Sequence, residues 1–249
     1  MNMTEFGTQN SKVLILLHGG GLSWWNYREA ARLLAAEYHV VMPILDGHAD
    51  SGTAFSAIED NAARLIGHID TRFGGKVTAI AGLSLGGQIA VEMLTQRGEV
   101  CRYALIESAL AKPMPLTHAL IGPGVAMSYG LIRQKWFARM QAACLGIPDG
   151  LFEDYFRDTC KIGKDDMIAF LKANTAYGIK PALSKTGARV KIVAGAREQK
   201  KIRDTAKLLH RMIPGSCLEI LPGLRHGDLS INQPQRYVHI LRDFIEKQE

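Results

Sequence analysis

The pentapeptide Gly-x-Ser-x-Gly at residues 82–86 is the feature of this chain that points most directly to chemistry. It lies between an apolar run, Val77–Ala81, and an amphipathic stretch, Gln88–Arg97, which predicts a strand, a sharp turn and a helix in that order. A turn of this kind lifts a serine hydroxyl clear of the sheet and places its backbone in a strained region. We therefore predict that Ser84 is a nucleophile. The peptide N–H of Leu85, at the start of the helix, is predicted to point toward an oxyanion beside it.

A glycine-rich turn, His-Gly-Gly-Gly at residues 18–21, follows the first strongly apolar run of the chain. Acyl transfer builds negative charge on a carbonyl oxygen, and a glycine turn can present a backbone N–H to that oxygen with no side chain in the way. Gly20 is the first choice for this second oxyanion donor, and Gly21 is the alternative. His18, and His48 in a later turn, are predicted to brace glycine loops by hydrogen bonds.

A serine nucleophile needs a general base, and a histidine on a loop at the same edge of the sheet can supply it. His226 lies in such a loop, within Pro-Gly-Leu-Arg-His-Gly, between a predicted strand and the last helix. The acid that orients this base is expected between the serine and the histidine along the chain. Glu198, shortly after the strand Val190–Ala194, is favoured on chain order and geometry. Glu107, at the end of the strand Tyr103–Ile106, is the alternative acid.

Strand-like and helix-like segments alternate along most of the chain, which is typical of an α/β fold with a mostly parallel, doubly wound sheet. The predicted strands are Val13–Leu17, His39–Pro43, Val77–Ala81, Tyr103–Ile106, Val190–Ala194 and Cys217–Leu221. The predicted helices are Tyr27–Glu37, Ala57–Arg72, Leu85–Arg97, Ile202–Met212 and Gln235–Lys247. This order brings the loops that carry the serine, the acid and the histidine to one edge of the sheet.

The segment 112–185 departs from this alternation. It is rich in aromatic residues and methionine at helical spacings, and it contains several prolines and no convincing strand. We predict that residues 1–111 and 186–249 form the core and that residues 112–185 form an inserted helical cap, or lid, over the site. The apolar run Leu116–Ile132, cut at Gly122-Pro123-Gly124, is expected to form the interior of this cap rather than a membrane anchor.

The composition is that of a soluble globular protein, with 249 residues of which 47% are apolar and 22% charged. No apolar stretch is long enough to span a bilayer, and the N-terminus lacks the pattern of a secretory signal, so a cytoplasmic protein without integral membrane association is expected. The four cysteines form no Cys-x-x-Cys pair, which favours free thiols over a disulfide framework or a zinc site. Neither a metal nor an organic cofactor is expected.

The net charge of +6 is concentrated in one segment, residues 185–212, which carries nine Lys or Arg against two acidic residues. The simplest interpretation is a solvated helix face. The alternative is attraction of anionic substrates or lipid surfaces. No aromatic residue is interleaved with these cations, so nucleic acid is not an expected partner. A homodimer through the last helix or the sheet edges is left open.

Together these motifs resemble the α/β-hydrolase family over nearly the whole chain. The matching segments, in the family's order, are residues 16–21, 46–51, 81–87, 191–195, 213–215 and 222–226. The resemblance implies a Ser84 nucleophile, a His226 base, Glu198 as the acid, oxyanion donors at Leu85 and Gly20, and the cap. The chain departs from the family in placing Glu where Asp is usual. Its N-terminus is also short, which leaves room for one edge strand near Thr4–Gly7.

The reaction expected from these residues is two-step acyl transfer through an acyl-enzyme, with a small or medium apolar ester as the substrate. Four side chains are predicted to form the substrate pocket: Trp24, Trp25, Met127 and Trp136. Other chemistry on the same residues stays open, namely a cofactor-free lyase, a perhydrolase or a carbon–carbon hydrolase. A non-catalytic ligand-binding member of the fold is a further alternative.

Overall fold

A seven-stranded sheet forms the centre of the computed structural model, which describes residues 1–246. The strands are β1 (Met3–Phe6), β2 (Val13–Leu17), β3 (His39–Pro43), β4 (Val77–Leu83), β5 (Cys101–Glu107), β6 (Arg189–Gly195) and β7 (Cys217–Leu221). They lie side by side in the order β1-β3-β2-β4-β5-β6-β7. β1 pairs antiparallel with β3, and every other neighbouring pair is parallel. The predicted mostly parallel sheet is confirmed, and so is the edge strand expected near Thr4–Gly7.

Helices connect the strands and cover both faces of the sheet. They are α1 (Arg28–Leu34), α2 (Ile58–Phe73), α3 (Leu85–Gln96), α4 (Pro115–Ser128), α5 (Lys135–Cys144), α6 (Phe152–Thr159), α7 (Lys164–Ala176), α8 (Lys200–Met212), α9 (Asp228–Asn232) and α10 (Pro234–Glu246). The predicted last helix is observed as α10, and its expected final residue, Lys247, lies outside the described residues. The short helix α9, directly after the histidine loop, was not predicted.

Strand β2 shows why the apolar runs form a sheet that is buried on both faces. Its side chains alternate between two apolar clusters. Val13, Ile15 and Leu17 face the cluster completed by α2, α3 and α8. Leu14 and Leu16 face the opposite cluster, completed by α1 and α10. A strand covered by helices on both sides needs apolar residues at every position, which is the continuous pattern that the sequence displays.

The segment 112–185, called the insert from here on, joins β5 to the neighbouring strand β6. This fully described stretch contains α4 to α7 and no strand. The predicted break at Gly122-Pro123-Gly124 is wrong, because α4 continues through Pro123. Proline removes the backbone donor that would bond the carbonyl of Ala119. Both residues are exposed, so water can replace the lost donor.

Candidate active site

Ser84 occupies the tight turn between β4 and α3 with φ 53° and ψ −111°. A side-chain-bearing residue at positive φ is uncommon and persists only where the surrounding structure enforces it. Two backbone hydrogen bonds do so here. The Ser84 N–H donates to the carbonyl of Glu107 at 2.9 Å, and the Ser84 carbonyl accepts from the N–H of Gln88 at 2.9 Å. The turn therefore presents the serine hydroxyl in a fixed position at the carboxyl edge of the sheet.

The two glycines of the pentapeptide are required by close backbone approach. A Cβ atom on Gly82 would lie 2.3 Å from the carbonyl oxygen of Gly86. A Cβ atom on Gly86 would lie 2.2 Å from the carbonyl oxygen of Leu17, at the end of the adjacent strand β2. Both distances are far shorter than a non-bonded contact allows, so only glycine permits this turn.

His226 and Ser84 line the same two cavities. Nδ1 of His226 lies 2.8 Å from Oε2 of Glu198. The carboxylate of this pair is fully buried, whereas 45% of the histidine side chain is exposed. With Nδ1 bonded to the carboxylate, Nε2 is the ring nitrogen that remains to accept a proton.

The Glu198 carboxylate is held by protein groups at both oxygens. Besides the bond to the histidine, Oε1 accepts a hydrogen bond from the backbone N–H of Gly195 at 2.6 Å and one from Oγ of Ser108 at 2.7 Å. Ser108 itself has φ 55°, and its N–H donates to the carbonyl of Val193. Ser108 was not among the residues predicted from the sequence. Its position two residues after the end of the predicted strand Tyr103–Ile106 was the only indication that could have pointed to it.

The alternative acid, Glu107, lies at the end of β5 and is 2% exposed. Its Oε1 accepts from the backbone N–H of Ser230 at 3.2 Å. Burial raises the pKa of this carboxyl to about 7. Of the two candidate acids, Glu198 is the one bonded to His226. Glu107 is a buried carboxyl bonded to the backbone of Ser230 instead.

The candidate oxyanion donors differ in whether their N–H groups are already used. Gly21 donates its N–H to Nε2 of His48 at 3.0 Å, so it is occupied by the fold. Gly20 lines the cavity next to Ser84. Leu85 also lines it and is the first residue of α3, where backbone N–H groups have no acceptor within the helix. The predicted donors Gly20 and Leu85 therefore both line the cavity that contains Ser84, whereas Gly21 does not.

His18 and His48 brace these turns, as predicted. His48 Nδ1 lies 3.0 Å from the carbonyl of Asp46, and Nε2 accepts the glycine N–H described above. His18 Nε2 accepts the N–H of Leu45 at 3.1 Å. Burial lowers the pKa of His48 to about 4 and that of His18 well below its ordinary value. Both imidazoles are neutral at neutral pH, which lets each accept an N–H at one nitrogen.

A cavity of about 120 Å³ opens beside the serine. It is lined by Gly19, Gly20, Leu22, Leu83, Ser84, Leu85, Leu145, Phe170, Leu171, Asn174, His226, Gly227 and Ile231. A second cavity, of about 360 Å³, shares the serine and the histidine and extends past Leu110 and Met114 to Lys201. The insert contributes to both cavities, mainly through α7 and the residues that follow α5.

None of the four side chains predicted to form the pocket lines either cavity. Trp25 is 1% exposed and packs in the core, where its Nε1 donates to Asp158 of α6 at 2.9 Å. Trp24 is partly buried and packs against the same apolar cluster as Trp25, the one completed by α1 and α10. Met127 and Trp136 are 85% and 63% exposed. The insert faces the site with α7, whereas Met127 of α4 and Trp136 of α5 lie on the exposed sides of their helices.

Helix α7 is fixed over the site by contacts with the core. Gln88 of α3 donates from Nε2 to the backbone carbonyl of Asn174 at 2.9 Å. Asn174 returns a bond from Nδ2 to Oε1 of Gln88 at 2.8 Å. The Phe170 ring stacks on His48 with the centroids 4.6 Å apart. The apolar wall of the first cavity is therefore coupled to the histidine that braces the glycine turn.

Neither a metal-binding cluster nor a membrane-spanning helix is present in the described part of the chain. Within residues 1–246, no group of three or more His, Cys, Asp or Glu side chains is arranged to hold a metal ion. Over the same residues, no helix combines the length and the apolar character that crossing a bilayer requires.

The sequence of this chain matches the alpha/beta hydrolase family over residues 14–240. The protein therefore belongs to that family. An AB hydrolase superfamily protein of Gibberella zeae is 29% identical over 168 residues, covering 62% of this chain and 59% of that protein. The match thus spans less than two thirds of that relative's length.

Solved structures of hydrolases share the fold over almost the whole chain. A thermophilic esterase from Thermogutta terrifontis has a TM-score of 0.79 at 18% identity, covering 99% of this chain and 93% of its own. A carboxylesterase structure from the thaumarchaeon Nitrososphaera gargenis has a TM-score of 0.80 at 20% identity, covering 100% and 96%. A meta-cleavage product hydrolase from Pseudomonas fluorescens has a TM-score of 0.81 at 16% identity, covering 100% and 94%. At these identities the likeness is one of fold.

Proposed function

We propose that this protein is a serine hydrolase, specifically a carboxylesterase that cleaves small or medium apolar esters. The observation that carries the proposal is the placement of Ser84 at a strained turn in the same cavity as His226, whose Nδ1 is bonded to the buried carboxylate of Glu198. A nucleophile, a base and an orienting acid in chain order Ser, Glu, His are the groups that ester hydrolysis requires.

In the first step, Oγ of Ser84 attacks the ester carbonyl carbon while its proton passes to Nε2 of His226. The imidazolium that forms is stabilised by the Glu198 carboxylate. Negative charge develops on the carbonyl oxygen and is stabilised by the N–H groups of Gly20 and Leu85. One donor of this kind typically lowers the barrier by about 3 kcal/mol. The His226 proton then passes to the leaving alkoxide, which departs as the alcohol and leaves an ester on Ser84.

In the second step, water attacks the acyl-enzyme carbonyl and gives its proton to His226. The same two N–H groups hold the second oxyanion. Its collapse breaks the bond to Ser84, which recovers the proton from the histidine, and the carboxylic acid is released. The balance is one ester and one water converted into one acid and one alcohol.

The two cavities support a choice of substrate size. The first is apolar along Leu22, Phe170 and Ile231 and contains both oxyanion donors, so we assign the acyl group to it. Its volume of about 120 Å³ is close to that of an apolar cavity of ~150 Å³ that admits benzene. The second, wider cavity leads outward and is assigned to the alcohol portion. In this proposal the insert acts as the cap.

Turnover of a series of p-nitrophenyl esters from acetate to laurate tests the proposal. We expect the wild-type protein to prefer the short acyl chains and Ser84→Ala to lower kcat/KM by roughly 10³-fold or more. Ser184→Ala is the matched control, because Ser184 is an exposed serine on the short turn Pro181–Lys185, outside both cavities. Equal rates for the wild type and Ser84→Ala across the series would reject the proposal.

A further inference from the structure

Exposed apolar side chains of this protein are concentrated on the insert. Among the described residues, eight large apolar side chains are exposed, and all except Leu33 lie between residues 116 and 145. They are Leu116, Leu120, Met127, Leu131, Trp136, Met140 and Leu145. The sequence expectation that Leu116–Ile132 forms the interior of the insert is therefore wrong for one side of this segment. A cluster of this kind on an exposed surface marks an interaction site.

The spacing of these residues places them on defined helix faces. Leu116, Leu120 and Met127 follow the i, i+4, i+11 pattern and share one face of α4. Trp136 and Met140 share one face of α5. The short turn Tyr129–Arg133 connects the two helices and contacts both. These residues, together with Leu131 and Leu145, are called the apolar face.

The apolar face reaches the mouth of the active-site cavities. Leu145, directly after α5, is 42% exposed and also lines both cavities that contain Ser84. Cys144 beside it lines the second cavity. A surface that covered the apolar face would therefore lie next to the opening through which a substrate reaches the serine.

The segment that carries the apolar face contains basic residues and no acidic ones. Residues 108–148 contain four Lys or Arg and no Asp or Glu. The four are Lys112, Arg133, Lys135 and Arg139. Of these, Lys135 forms an ion pair with Glu153 of α6, with its Nζ 3.2 Å from Oε1 of the glutamate. Both side chains of this pair are largely exposed to solvent.

Helix α8, the most basic part of the chain, adds to this charge. Lys207 and Arg211 line a surface groove together with Lys112, which comes just before α4, and with the single acidic residue Asp204, which is paired with Lys200. Lys201 lines the second cavity together with Leu145. These four residues, Lys112, Lys201, Lys207 and Arg211, are called the cationic border, which approaches the apolar face at the start of α4 and at Leu145.

We propose that the apolar face docks on the surface of an anionic lipid bilayer, with its apolar side chains at the headgroup boundary and the cationic border on the lipid phosphates. Leu, Met and Trp on one face, flanked by Lys and Arg, are the composition of interfacial helices. A second copy of this chain fits less well, because a two-fold dimer through this face would bring the cationic borders together. The inference concerns where the protein binds, and it does not depend on which bond Ser84 cleaves.

Binding to unilamellar vesicles tests this inference without any turnover. The full chain carrying Ser84→Ala is mixed with phosphatidylcholine vesicles or with vesicles that also contain phosphatidylglycerol. We expect flotation with the anionic vesicles only, weakened by salt. We also expect a blue shift of the tryptophan emission that Trp136→Phe removes, because Trp136 is exposed and Trp25 is buried. The blue shift is first measured on the Ser84→Ala protein, with and without vesicles. This part of the test therefore does not depend on whether further variants fold.

Two sets of variants separate the apolar and the charged contributions. Met127→Ser combined with Trp136→Ala should reduce the vesicle-bound fraction by roughly tenfold or more. Lys207→Gln combined with Arg211→Gln should reduce binding to anionic vesicles in low salt. Leu33→Ser is the matched control, since it removes an apolar side chain on α1 that is 40% exposed but lies outside the apolar face, and it should leave binding unchanged.

Three results would overturn the inference. They are no binding to either vesicle, equal binding to neutral and anionic vesicles, and binding that survives the loss of Met127 and Trp136. A dimer that is abolished by Met127→Ser with Trp136→Ala, in a protein that binds no vesicles, would assign the apolar face to self-association instead.

Discussion

Glu107→Gln removes a buried carboxyl whose protonation is coupled to folding. Burial raises the pKa of Glu107 from its ordinary value of 4.5 to about 7. Within residues 1–246, its Oε2 has no hydrogen-bond partner, and the same holds for the hydroxyls of Tyr27, Ser230 and Tyr237. Glutamine preserves the shape of the side chain but cannot ionise, so the variant isolates the contribution of this one titration.

The sign follows from the direction of the pKa shift. Since the native state binds this proton more tightly, the unfolded chain ionises first as the pH rises. The wild type therefore loses stability between about pH 4.5 and pH 7 and loses no more above that window. A shift from 4.5 to about 7 corresponds to about 3 kcal/mol. The unfolding free energy of Glu107→Gln minus that of the wild type should rise by that amount across the window.

Urea unfolding followed by tryptophan fluorescence at several pH values on either side of the window measures this difference. His48, whose pKa is lowered to about 4, titrates in the opposite sense, but it does so in both proteins and cancels in the difference. Glu29→Gln, which removes an exposed carboxyl in place of a buried one, is the matched control, since the Glu29 side chain is 56% exposed. A difference for Glu107→Gln that does not change with pH would refute the reasoning from burial.

Three further predictions concern the site. Glu198→Gln should lower kcat for p-nitrophenyl acetate by roughly 10³-fold, because Glu198 is the acid bonded to His226. Glu107→Gln should lower the same kcat by less than about tenfold. The reverse ranking would make Glu107 the acid. Gly86→Ala should lower the Tm sharply or prevent folding, since its Cβ would lie 2.2 Å from a backbone oxygen. Gly67→Ala on α2 is the control and should not lower the Tm, because there is open space around Gly67. A Tm equal to wild type for Gly86→Ala would contradict the turn geometry. Phe170→Ala should raise the ratio of kcat/KM for octanoate over acetate by widening the first cavity; an unchanged ratio would place the acyl group elsewhere.

Much of the fold could be predicted because its determinants are local. A strand buried on both faces needs a continuous apolar run, and the run at Val13–Leu17 is unbroken, while Val77–Ala81 is interrupted only by Thr78. The turn at Ser84 was predictable for the same reason, since its glycines and flanking elements lie within a few residues. Glu198 could be placed by chain order, because parallel strands bring successive loops to one edge.

The insert could not be predicted to the same depth, because its packing depends on which helix faces the core. Both α4 and α7 contain apolar residues, so composition alone does not indicate which of the two helices lines the pocket. The reciprocal bonds between Gln88 and Asn174 decide in favour of α7, and they join residues 86 positions apart. Ser108 is a similar case, since its bond to Glu198 spans 90 positions and becomes visible only in the folded chain.

Covalent labelling with a fluorophosphonate, followed by peptide mass spectrometry, tests most directly that Ser84 is an activated nucleophile. We predict one phosphonyl group per chain, located on Ser84, formed much faster in the wild type than in His226→Ala. Esterase activity in a protein that remains unlabelled at Ser84, or labelling that is indifferent to the loss of His226, would contradict it.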